Sequence, residues 1–259
     1  MTTGEPSAFS KAVCAALLFA AALGFGAPAA AQGPDTLREN LLRKRGDGRS
    51  FAAPPVARYV SEDGDIFVLD RSQPKPLLKF DGSPEVWALQ QQPAPRGDTI
   101  YKNDLGQPML RATRLGGVTL FTPGRPGGSA AALAGAGATL KLGVMGPQAL
   151  AERLLQASIR ASRAARRGIT FEAEATPASS ALIADAAIVT SVAVVRMSER
   201  RDGRALLGRF QKVLLVEGRR AAAIIDKGVM RITVAPAQGQ AGRPSSDRIV
   251  AVAVAGGSR

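Results

Sequence analysis

The chain has 259 residues, with 34 Lys or Arg against 21 Asp or Glu, a formal net charge of +13, and no histidine. Without histidine it cannot build a Ser-His-Asp or Cys-His triad, or a histidine-ligated zinc or copper centre. Carboxylate pairs, Ser-Lys dyads and oxygen-ligated cations remain as routes to catalysis.

The first segment is polar with a single cation, Lys11. An apolar run, AVCAALLFAAALGFG, and then APAAA follow. Ala29 and Ala31 occupy the −3 and −1 positions of an Ala-x-Ala cleavage site. This three-part layout predicts a secretory signal peptide over 1–31, cleaved after Ala31. The apolar run is shorter than the roughly 20 residues that span a bilayer. The only cysteine, Cys14, lies early in that run with no lipobox before it, so cleavage leaves a chain without disulfides. Glu5 and Lys11 cancel, so the exported part keeps the +13. The expected location is periplasmic or secreted. A charge of this size favours anionic partners, here anionic envelope components. A composition rich in Arg, Ala and Gly, as a GC-rich genome produces, gives the same balance. Nucleic acid is not expected, because the chain is exported and only 5% of it is aromatic. Oligomeric state is not legible.

Residues 32–55 are expected as a flexible basic segment ending at Pro54-Pro55. Residues 56–122 are expected as a β domain. Apolar runs (ARYV, DIFVL, LLKF, EVWAL, TIYK, MLRAT, VTLFT) alternate with turn sequences, which predicts an antiparallel meander in a sandwich, roll or small barrel. The acidic stretches Glu62–Asp65 and Asn103-Asp104 are read as turns, since neither has calcium-loop spacing. A repeat is suggested by Gly64-Asp65-x-Phe67 against Gly97-Asp98-x-Ile100. Pro76–Lys79 against Pro108–Arg111, and Val86 against Val118, continue it. Residues 123–146 are expected as a Gly/Ala-rich linker or a close-packed connection.

Residues 147–255 are expected as an α+β domain of two helices and an antiparallel sheet. The first helix runs from Pro147, with Leu150, Leu154, Leu155, Ser158, Ala161, Ser162 and Ala165 on one face and Gly168 as its C-cap. ITFEAEA alternates as a half-buried strand, and a second helix follows over about 178–200 with Leu182, Ala186, Val189, Ala193 and Arg196 as its stripe. Asp185, Thr190, Ser191 and Arg196 argue against its crossing a membrane. QKVLLVE, AAAIID, VMRITVA and RIVAVAV read as further strands.

Candidate sites are few, and no catalytic, metal or cofactor residues are assigned. Arg153, Arg160, Arg163 and Arg167 make a basic stripe on the first helix that could meet an anionic surface, although a solvated helix face explains the same spacing. Arg200, Arg201 and Arg204 open a second basic cluster suited to phosphate or carboxylate. Glu172 and Glu174 point to one strand face, the spacing a carboxylate-based hydrolase would use, or simply two solvated charges.

Three segments carry a family resemblance: GDTIYKNDLGQPMLRATRLGGVTLFTP at 97–123, FVLDRS with LKFDGSPEVWAL before it, and the closing SSDRIVAVAV. Together they resemble an uncharacterised family of exported alphaproteobacterial proteins over about 56–255. The resemblance implies a periplasmic domain of unknown function and transfers no catalytic residue. The expected role is a non-enzymatic periplasmic binding or scaffolding protein of the envelope. The alternative is a periplasmic hydrolase using carboxylates or a Ser-Lys pair.

Overall fold

Period-two alternation builds the first half of the computed structural model, which describes residues 53–256. The expected signal peptide and all but the end of the basic segment lie outside the described residues. The last residues of that segment, Ala53–Pro55, are held against the sheet. The Arg71 guanidinium donates to the Ala53 and Pro54 carbonyls at 2.7 and 2.9 Å, and the Arg71 N–H donates to Pro55 O.

Nine strands follow: β1 (Val56–Ser61), β2 (Ile66–Asp70), β3 (Leu77–Phe80), β4 (Val86–Ala88), β5 (Gln90–Pro93), β6 (Thr99–Lys102), β7 (Pro108–Ala112), β8 (Val118–Thr122) and β9 (Arg125–Ala136). All seven runs read as strands are strands; β5 and β9 are additional. The expected linker over 123–146 is therefore corrected, since β9 occupies half of it and pairs with both β8 and β1. Its small residues misled because backbone pairing with two neighbours makes it a strand, and most of its side chains are exposed. The order is β4-β3-β2-β1-β9-β8-β7-β6-β5, antiparallel throughout. β4 and β5 are separated by Leu89 alone and run in the same direction, one paired with β3 and the other with β6. They act as two halves of one strand that changes partner, and this brings the sheet to a nearly closed up-and-down barrel.

Tyr59, Phe67, Leu69, Leu78, Leu89, Tyr101, Leu110 and Leu120 fill the barrel interior, with Tyr59 and Phe67 stacked at 5.3 Å. Small barrels are packed this way rather than hollow. The suggested repeat matches at the level of the two meanders, and Gly64 and Gly97 both take positive φ. Its facing does not match. Phe67 is fully buried, whereas Ile100 pairs with exposed Arg111 and Tyr101 takes the inward place opposite Leu110.

The second half contains helices α1 (Pro147–Ala165), α2 (Ser180–Ser198), α3 (Gly203–Leu207) and α4 (Ser246–Ala255), with strands β10 (Thr170–Ala173), β11 (Lys212–Glu217), β12 (Ala222–Asp226) and β13 (Val229–Val234). The overall class is α+β as expected. The second sheet, β10-β11-β13-β12, is mixed rather than antiparallel. β10 and β11 are joined through α2 and pair in parallel, as a crossover connection requires. β13 inserts between β11 and β12, so it runs parallel to the first and antiparallel to the second.

α2 is the hub. Leu182, Ala186, Val189 and Ala193 are buried as the stripe predicts, and so are Ile183, Ala187, Val194 and Met197 on its other sides. It is long and apolar enough to cross a membrane by length and composition, and most of it is buried as a core helix. On α1, Ala157 joins Leu150 and Ala161 in the core, whereas Leu155 is 61% exposed, contrary to the predicted face. The helix ends two residues early. Arg166, not Gly168, adopts the left-handed conformation at φ 53°. Ser162 Oγ forces this by bonding the Ile169 N–H at 2.9 Å, which turns the chain into β10.

RIVAVAV is helical, not a strand. Its apolar and small residues fit either period, so the cap decides. Ser245 Oγ accepts the Arg248 N–H at 3.0 Å, and Asp247 lies in the first turn at the positive end of the helix dipole.

Candidate functional site

The barrel is joined to the helices at one rim, where the β3–β4, β6–β7 and β8–β9 hairpins meet α2 and the first turn of α4. The join is polar. The Asp104 carboxylate accepts from the Ser245 N–H at 3.0 Å and from its hydroxyl at 2.5 Å. The Glu85 carboxylate accepts from the Ser246 N–H at 2.9 Å and from its hydroxyl at 2.6 Å. Two hairpin carboxylates thus satisfy the free N–H groups at the start of α4, where the helix dipole favours negative charge.

Behind Glu85 lies Arg243. Its guanidinium donates to Asp185 of α2 and to the Val86 carbonyl at 2.7 Å, and passes 3.9 Å from Glu85. Both the Arg243 and Glu85 side chains are 2% exposed. On the outer side, Arg196 donates to Ser246 Oγ at 2.6 Å and pairs with Asp247 at 2.5 Å. Asn103 Nδ2 holds the other Asp247 oxygen at 3.2 Å. Burial pushes the Glu85 carboxyl above its ordinary value, and the nearby Arg243 charge and the Ser246 hydrogen bonds only partly offset this.

This network forms one end of a cavity of about 600 Å³. Phe80, Trp87, Met109 and Phe121 of the barrel rim and Val192 of α2 make its apolar walls. Two register breaks lie beside the pocket. Met109 is an extra residue between the pairs Tyr101↔Leu110 and Lys102↔Pro108, and it lines the pocket. The ladder breaks again after Leu120↔Ser129, and Phe121, next to the buried Leu120, lines the pocket as strand alternation directs. Gly128, at φ +90°, makes room for that ring, since a Cβ there would lie 2.5 Å from Thr119 Cγ2 and 2.9 Å from Phe121 Cε1. An apolar slot with charge at one end suits a small molecule that has an apolar body and one polar group.

The arginines singled out from the sequence do not converge there. Arg153, Arg160 and Arg163 are exposed on α1, and Arg160 and Arg163 border a surface groove with Ile159 and Val195. Arg167 is committed to the fold, donating to the Leu207 and Phe210 carbonyls. Arg200 pairs with Asp202 at 2.9 Å, while Arg201 and Arg204 are exposed. Glu172 pairs with Lys212 at 2.5 Å, Glu174 is exposed, and neither lines the cavity. Among the described residues no group of three or more Asp, Glu, His or Cys is placed to hold a metal ion. The acidic stretches read as turns do turn the chain, Gly64 N–H bonding Ser61 O and Gly106 N–H bonding Asn103 O. Glu85, Arg243 and Asp247 were not singled out from the sequence. The one available signal was Ser-Ser-Asp, an N-cap signature that places Asp247 on a helix start.

Fold and site define a small antiparallel barrel fused to an α+β half, with an apolar pocket at the shared rim. The chain belongs to the family described as a domain of unknown function (DUF4908), whose profile matches residues 36–253. Neither a curated protein nor a solved structure matches it.

Proposed function

We propose that the protein is exported to the periplasm and works there as a non-enzymatic binding protein of the cell envelope, holding a small ligand in the rim pocket. The observation that carries this reading is the pocket, apolar on its walls and charged at one end only. The N-terminal signal pattern and the resemblance to exported alphaproteobacterial proteins support the location. Trp87, the chain's single tryptophan, lines the pocket and reports on its contents. A neutral apolar probe, N-phenyl-1-naphthylamine, is expected to bind saturably and quench Trp87 emission, and Val192→Trp, which fills the cavity, is expected to abolish binding. Absence of saturable binding to the unmodified chain overturns the reading. N-terminal sequencing of protein from its native host is expected to begin at Gln32, and an intact N-terminus overturns the export part.

A second reading rests on α1. Arg153, Arg160 and Arg163 are exposed beside Leu155 and Ile159, which are 61% and 43% exposed. We propose this face as the contact for anionic envelope components. Co-sedimentation with anionic vesicles that disappears on raising salt supports it, and binding indifferent to salt sinks it.

A further inference from the structure

We propose that the rim pocket takes a ligand whose apolar or aromatic body carries a cationic ammonium group, seated between the pocket's aromatic rings and Asp247. The inference rests on the binding reading above and names the ligand's class.

The charge count at the polar end points this way. Three carboxylates, Asp185, Glu85 and Asp247, share two guanidiniums, Arg243 and Arg196. Both guanidiniums are already engaged. Arg243 is taken up by Asp185 and the Val86 carbonyl, and Arg196 by Asp247 and Ser246. An incoming anion would meet an arginine that already has a carboxylate partner and would sit beside a second, buried carboxylate. An incoming cation completes the balance. Asp247, with its side chain 18% exposed, is the carboxylate a ligand can reach.

The walls fit the same ligand. Phe80, Trp87 and Phe121 place three aromatic rings around one cavity. An aromatic face attracts ammonium groups through its quadrupole, most strongly when water is excluded. Apolar walls alone would take any apolar body. Aromatic rings together with surplus carboxylate select a cation.

Three ligands of one body test this: benzyltrimethylammonium, benzyl alcohol and phenylacetate, titrated into the full chain and read through Trp87 fluorescence. The expected result is about tenfold tighter binding of the ammonium than of the alcohol, with phenylacetate weakest. That preference should fade in about 1 M salt, where the screening length is near 3 Å. Asp247→Asn frees Arg196 and is expected to reverse the order in favour of phenylacetate while leaving the neutral probe bound. Glu85→Gln, which keeps the shape and removes the surplus charge, is expected to narrow the ammonium preference and guards against a folding defect in the first variant. If the neutral probe binds and the ammonium is no tighter than the alcohol, or phenylacetate is tightest in the unmodified chain, the inference is overturned and the binding reading stands. If the neutral probe fails as well, both fall.

Discussion

The two halves are built on opposite plans. In the barrel the interior is a ring of alternate side chains from many short strands, Tyr59, Phe67, Leu78, Leu110 and Leu120 among them. In the helical half one helix, α2, is buried on nearly every side and the other elements pack round it. Each core is apolar and satisfied by itself. What joins them is buried charge, the Asp185–Arg243–Glu85 chain and the grip of α4 on Glu85 and Asp104. An apolar join would tolerate sliding, whereas charged groups cut off from water tolerate only the geometry that pairs them. The contrast therefore assigns adhesion to the two cores and orientation to the seam, and it is at the seam that the pocket lies.

Breaking the seam should have the largest effect. Arg243→Met leaves Asp185 and Glu85 buried without their guanidinium, and a loss of about 3–5 kcal/mol is expected in urea unfolding. A second change, Asp185→Leu, should recover part of it. A loss under about 1 kcal/mol would mean that water reaches the seam and that the cores alone set the orientation.

The cores come next. Leu120→Ala in the barrel and Met197→Ala in α2 should each cost about 2–5 kcal/mol. If the seam couples the halves, either variant shifts one common transition, followed alike by Trp87 fluorescence and by helical circular dichroism. Two separated transitions in the unmodified chain would show that the halves unfold independently.

Acid and base should act on the two regions in opposite senses. Unfolded Glu85 loses its proton at the ordinary value of 4.5, and the folded chain holds that proton to higher pH. Its contribution is therefore present below pH 4.5 and is lost as pH rises through the raised value. Asp98 in the barrel is the reverse. Hydrogen bonds from Arg111 hold it below 3.8, so its contribution is present above that value and lost as pH falls. Glu85→Gln should flatten the loss on the alkaline side of the Tm profile and leave the acid side unchanged. An unaltered alkaline side would remove Glu85 from the account.

The smallest effect belongs to the surface. Arg200→Ala breaks an exposed pair with Asp202 and should leave the urea midpoint unchanged. A measurable shift would show that the pair supports the turn leading into α3, whose Leu206 and Leu207 lie in the core.

Local rules made much of the fold legible. Seven of the nine barrel strands, both long helices and the strands of the second sheet follow from periodicity and turn residues. The failures share one cause. RIVAVAV satisfies both periods, β5 is a run of glutamines with no apolar signal, and β9 is too rich in Gly and Ala to look like a strand. In each, something other than the segment's own apolar pattern decides the outcome: the Ser245 cap and Asp247 for α4, pairing with β6 for β5, and pairing with β1 and β8 for β9. The site was less legible still. Its residues come from three hairpins, the middle of a helix and the start of another, and nothing in Asp-Gly-Ser-Pro-Glu marks Glu85 as buried. Of the basic residues that stand out in the sequence, Arg167 is bound into the fold and the others face water.

The attachment of α4 also orders events in time. Glu85 and Ser246 are 161 positions apart, while the barrel closes on itself once β9 has been made. Folding during synthesis can complete the barrel first, but the pocket's polar end does not exist until the last helix arrives. A chain cut after Gly242 would be a barrel with an unfinished lip, folded in its first half and lacking Asp247 at the pocket's polar end.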